Sequence, residues 1–88
     1  MKESTPEFAV ALEQLKNQIP LGARFYHYKN PNQFYTVVAH GILEATGEPA
    51  VSYQAEYGEK ITWIRPLAVF LENVEWEGKT IPRFTRVS

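Results

Sequence analysis

The side chains in this sequence that could do chemistry are few. His27 and Lys29 stand two apart, His40 lies further along, and Trp63 and Arg65 are again two apart in the run ITWIRPLAVF. In an extended strand, residues i and i+2 share a face. Ile61, Trp63 and Arg65 therefore project one way, and Thr62 and Ile64 the other. A guanidinium beside an indole is either a structural stacking pair or an anion-binding spot with an aromatic wall. Pro66 has no N–H to offer a ladder and suits the start of a helical turn, so it ends the strand and limits how far Arg65 wanders. His27, Lys29, His40, Trp63 and Arg65 are the candidate ligand-binding set. The ligand they fit is a small anion or a peptide segment. The structural alternative pairs Arg65 with a glutamate such as Glu72.

Other chemistries lack their residues. The chain has no cysteine, so a disulfide, a thiolate nucleophile and a zinc–thiolate site are excluded. Its ten acidic side chains are all glutamate. Without aspartate, the commonest carboxylate of metal-dependent phosphoryl transfer and the usual orienting partner of a catalytic histidine are missing. His27 and His40 fall on one face but roughly 13 Å apart in the expected hairpin, too far to share a metal. No metal and no cofactor is expected. No serine or threonine is marked as activated, no Gly-rich phosphate loop occurs, and Glu44, Glu48 and Glu59 lie in predicted loops. A weak enzymatic reading would use His27 as general base. The formal charge of −1 argues against a broad grip on nucleic acid. Five Tyr, five Phe and two Trp nevertheless keep a nucleic-acid-associated domain, stacking bases on exposed aromatics, as the alternative function.

The elements that must position these groups follow from the pattern. At 88 residues the chain is one domain, 1–88, with a helical extension at 1–21 and a β-rich part at 22–84. Residues 5–19 read as a helix: Thr5 as N-cap, or Ser4 with Glu7 as a capping box, and Pro6 at the first position. Phe8, Leu12, Leu15 and Ile19 make one apolar stripe, which must cover something: the sheet of its own domain first, or else a second copy or a partner. From Gly22 the period becomes two. Residues 24–29 and 34–40 form a hairpin around the turn NPNQ, with paired numbers summing to 63. That register puts Tyr26, Tyr28, Tyr35, Val37, Arg24 and Ala39 toward the core. Residues 50–57 alternate cleanly, with Val51, Tyr53, Ala55 and Tyr57 inward. Residues 61–65 follow, then a helical turn over 66–70. A last hairpin pairs 72–76 with 79–84 around Glu77-Gly78.

A helix followed by about five short strands indicates a mainly β, α+β domain: a small SH3-like barrel or a strongly bent antiparallel sheet. No apolar run approaches the roughly 20 residues of a membrane span, and no signal-peptide order is present. The expected setting is cytoplasmic, away from membranes, as a monomer or homodimer.

Four runs in order resemble a small bacterial family, domain of unknown function 1653. They are Phe25-Tyr26-His27-Tyr28-Lys29; Tyr53-Gln54-Ala55-Glu56-Tyr57-Gly58; Trp63-Ile64-Arg65-Pro66-Leu67 with Phe70; and Pro82-Arg83-Phe84. The resemblance covers Gly22 to Phe84. It departs at Asn30-Pro31-Asn32, where family members tend to carry glycine after the lysine, and in the longer segment after His40. It implies a compact β-rich domain of SH3-like type and no particular activity, substrate or cofactor.

Overall fold

The computed structural model describes residues 6–88. The expected caps at Ser4 and Thr5 lie outside the described residues. Helix α1 runs Pro6–Gln18. Its first position suits proline, because the N–H that proline lacks would have no intrahelical acceptor there. The stripe faces inward: Leu15 and Ile19 are buried, while Phe8 and Leu12 are half-buried. The helix docks on the sheet of its own chain, against the strands β2 and β3 described next.

Strands β1 (Arg24–His27), β2 (Asn30–Ile42), β3 (Pro49–Ala55) and β4 (Thr62–Pro66) form an antiparallel meander. Helix α2, Leu67–Phe70, follows directly on Pro66. Strands β5 (Asn73–Trp76) and β6 (Lys79–Pro82) make a separate hairpin. Glu77 and Gly78 both have positive φ there (52° and 79°), as a two-residue type I′ turn requires. Strand β7, Phe84–Arg86, then returns to pair with β1. The five-stranded sheet has the order β4-β3-β2-β1-β7. Its end strands do not pair with each other, so it is a strongly bent open sheet and not a closed barrel. No helix among the described residues is long and apolar enough to cross a membrane.

The first hairpin differs from the expected one. Arg24 pairs with Thr36, Phe25 with Tyr35 and Tyr26 with Phe34, a register three lower than the expected sum of 63. The chain turns at Tyr28-Lys29, and NPNQ is already part of β2. An odd shift swaps which face of β1 meets the core. Tyr35 and Val37 face inward as anticipated, but Tyr35 lies opposite Phe25 and the Val37 N–H donates to the Ala23 carbonyl, so that Phe25 and His27 take the inner face of β1 in place of Tyr26 and Tyr28. Phenylalanine has no hydroxyl to satisfy, so Phe25 takes the buried side. Tyr28 packs outside, its ring edge against Trp76 of the hairpin at 5.2 Å. A bulge between Val37 and Ala39 then reverses parity within β2. Past it His40 faces Val51, and Ala39 lies exposed instead of in the core. Arg24 is likewise outside. The last hairpin also ends earlier than expected: Phe84 belongs to β7, not to β6.

Leu15, Ile19, Phe25, Val37, Val51, Tyr53, Phe70 and Phe84 form the core. Phe70 and Phe84 stack at 4.2 Å between centroids, and Phe25 meets Phe70 edge-on at 5.1 Å. Each such side chain contributes about 1.5–3 kcal/mol of burial. The short helix α2 thus plugs the sheet's concave side, and β7 is held there by Phe84.

Candidate functional site

The concave face is not filled to its edge. Beyond Phe84 an open cleft of about 250 Å³ is lined by His27, Lys29, Asn30, Tyr35, Tyr53, Trp63, Arg65 and Phe84. Four of the five residues singled out from the sequence meet here, although they come from the end of β1, the β1–β2 turn and β4. The pairings Tyr53 with Trp63 and Val51 with Arg65 place Trp63 and Arg65 on the face that Val51 and Tyr53 bury. His27 joins it because β1 presents Phe25 inward, and His27 follows with the same parity.

Arg65 is fixed by its neighbours. Its Nε donates to the Tyr53 hydroxyl at 3.0 Å, and its Cζ lies 5.9 Å from the Phe84 ring centroid. The residue is half-buried. Among the described residues it has no carboxylate partner. Glu72, its suggested partner, instead bonds Nη2 of Arg83 at 2.9 Å. Trp63 beside it is 50% exposed, so the indole forms a wall open to solvent.

His27 stacks edge-on against Phe84 at 5.1 Å, and its Nδ1 accepts the Lys29 backbone N–H at 3.3 Å. Nδ1 is therefore an acceptor, and Nε2 carries the proton of the neutral ring. The His27 pKa is lowered from its ordinary value. Burial is the main cause, followed by the positive charges of Arg65, Arg83 and Lys29. The site is thus cationic even with His27 neutral, and an arriving anion would meet Arg65 and Lys29 without a competing carboxylate among the lining residues.

Tyr35, Tyr53, Phe84 and Asn30 were not singled out from the sequence. Tyr53 and Tyr35 read as core aromatics, and Tyr53 is indeed only 3% exposed. The available signal was its hydroxyl: a buried phenol needs a partner, and Arg65 stands close by on the neighbouring strand. The Tyr35 hydroxyl is bonded to that of Tyr57, and its pKa is pushed up by burial first and this bond second.

His40 is not in the cleft. Its Nε2 donates to the Ile19 carbonyl just past α1, capping one of the helix's unpaired acceptors. On the outer face, Arg24 grips Glu56 with Nε and Nη2 at 2.9 and 2.8 Å, and Thr36 adds its hydroxyl at 2.6 Å. The Arg24 guanidinium and the Thr36 hydroxyl hold the Glu56 carboxyl down at about 2. This group ties β1, β2 and the end of β3 together and takes no part in the cleft.

Fold and site together define a small β-rich domain, backed by a helix, with an aromatic-walled cationic cleft. The model of the family described as protein of unknown function (DUF1653) matches residues 23–86, and the chain belongs to that family. No curated protein and no solved structure gives a significant match to the chain.

Proposed function

We propose that this protein is a non-enzymatic binding module that holds a carboxylate or phosphate group in the cleft between the β1–β2 turn and β4. The observation that carries this reading is Arg65. It is anchored through Nε by Tyr53, has no carboxylate partner among the described residues, and stands beside the exposed ring of Trp63. Ordering a guanidinium in advance reduces the entropy lost on binding, and its remaining N–H groups match a carboxylate or phosphate edge. Lys29, exposed at the turn, supplies a second charge, and His27 a neutral Nε2–H donor. Trp63 and Phe84 offer flat apolar walls for whatever carries the anion. Catalysis is not part of the reading. His27 has no carboxylate bonded to its ring among the described residues, so nothing there would stabilise an imidazolium formed during a reaction.

The test is an NMR titration of the full chain with sodium phosphate, acetate and benzoate. Shifts should centre on the Arg65 Nε–H, the Trp63 indole and the His27 ring, and the His27 pKa should rise when an anion is bound. Arg65→Ala should abolish them. Shifts scattered over the surface, or unaffected by that substitution, would refute the reading. Binding of oligothymidylate with a steep loss on adding salt would favour nucleic-acid association instead.

A further inference from the structure

Strand β4 is an edge of the sheet, and it is uncovered. Thr62, Trp63 and Ile64 are all exposed, with Ile64 66% and Ile61 50% exposed as well. The ladder shows which backbone groups are free. The Ala55 N–H donates to the Ile61 carbonyl at 3.0 Å, so the Ala55–Ile61 pair is a hydrogen-bonded one. Antiparallel pairs alternate. Tyr53–Trp63 and Val51–Arg65 therefore exchange bonds, whereas Gln54–Thr62, Ser52–Ile64 and Ala50–Pro66 do not. Thr62 and Ile64 thus point N–H and C=O away from β3, into solvent. Pro66 occupies the next outward position, where its missing N–H costs the ladder nothing.

Natural edges are usually blunted by charges, bulges or cover. Here two free donors lie in an apolar rim, directly beside the cationic cleft. We propose that β4 accepts an extended acidic segment of a partner protein as a sixth strand, with one glutamate or aspartate of that segment seated on Arg65. This rests on the anion-binding reading above and names the partner for that site. An added strand would lie about 4.8 Å from β4 and bond Thr62 and Ile64. Its alternate side chains would stand beside Trp63 and Arg65 on the concave face. A cross-strand side chain opposite Arg65 would have its Cβ about 5 Å away, within ion-pair reach of the guanidinium. Charge decides between a partner and a second copy. Two copies joined through β4 would bring two clefts carrying Arg65 and Lys29 together, a like-charge arrangement, whereas an acidic strand neutralises the cleft.

The probe is a synthetic seven-residue peptide of alternating valine and glutamate, acetylated and amidated at its ends. It is titrated against the full chain at up to about millimolar concentration. Three comparisons accompany it: the same peptide with glutamine for glutamate, the same peptide N-methylated at alternate amides, and sodium acetate. The expected result is binding that slows hydrogen exchange of the Thr62 and Ile64 amides. Affinity should fall about tenfold or more with glutamine and be lost with N-methylation. Ile64→Pro removes an outward donor that β3 does not use. It should abolish peptide binding while leaving the acetate shifts at Arg65 intact.

If the N-methylated peptide binds as well as its parent, strand addition is wrong while anion binding stands. If acetate leaves Arg65 unmoved and the glutamine peptide binds equally well, the anion reading is wrong, and with it the acidic partner. If no peptide binds, or the chain pairs with itself through β4, the proposal is overturned.

Discussion

Replacing Arg65 with alanine tests the site and the energetics of the cleft together. Among the described residues the side chain makes one hydrogen bond, Nε to the Tyr53 hydroxyl at 3.0 Å, and it lies beside the Phe84 ring. It has no ion pair to lose among the described residues. A bond from a charged donor is worth roughly 1.5–3 kcal/mol. Two effects offset part of this. The cleft is open, so water can reach the Tyr53 hydroxyl once the guanidinium is gone. Removing Arg65 also relieves its repulsion of Lys29, while His27 is neutral at pH 8 and adds nothing. The expected net loss is about 1 kcal/mol by urea denaturation at pH 8, against roughly 3–5 kcal/mol for breaking a buried ion pair. A second readout is independent of stability. Arg65 is one cause of the lowered His27 pKa, though burial is the larger. In Arg65→Ala the His27 pKa should rise and yet stay below its ordinary value, because the burial remains. Following the His27 ring protons by NMR against pH measures this directly. A loss of 3 kcal/mol or more, roughly the cost of a broken buried pair, together with an unmoved His27 pKa, would refute the account of Arg65 as a solvent-accessible, unpaired cation facing His27.

Leu15 is fully buried beneath the sheet; Leu15→Ala should cost about 3 kcal/mol in urea melts, and Leu12→Ala less, because Leu12 is only half-buried. The Glu56 carboxyl is held at about 2 by Arg24 and Thr36. Its stabilisation is therefore complete above the ordinary value of 4.5 and lost as pH falls toward about 2. Glu56→Gln should remove that part of the acid slope and cost about 1 kcal/mol at pH 7, a figure reduced for a side chain that is about a third exposed. His27 titrates low in the fold, so stability should rise with pH through the region below about 6.5 and level off above it; His27→Gln should flatten that rise. Gly78 has φ of 79° in the β5–β6 turn, and Gly78→Ala should cost about 1 kcal/mol through backbone strain, visible as a lowered melting temperature.

Much of the architecture was legible because it rests on local periodicity. The stripe Phe8, Leu12, Leu15, Ile19 names the inner face of α1, and Pro20 its end. The alternation from Val51 to Ala55 names the inner face of β3. Glu77-Gly78 names a turn in which both residues need positive φ. The pairing of Trp63 with Arg65 on one face also follows from parity, and Pro66 from its missing N–H.

What periodicity could not decide was the first hairpin. Phe25, Tyr26, His27 and Tyr28 are aromatic on both parities, so each face of β1 could have been the core. The choice depends on where the chain turns, and the turn at Tyr28-Lys29 leaves NPNQ as irregular strand. Only the rest of the fold selects it: Phe70 and Phe84 offer a ring-lined socket that accepts Phe25, while the β5–β6 hairpin covers Tyr28 outside. The bulge after Val37 is a second tertiary decision, which sends His40 to the end of α1 and away from His27. The cleft itself is of this kind. Residue types and spacing put cations and aromatics on the right strands. Bringing His27 at the end of β1 and Lys29 of the β1–β2 turn to Trp63 and Arg65 of β4 required the sheet to bend and β7 to return with Phe84, and no local pattern contains that long-range closure.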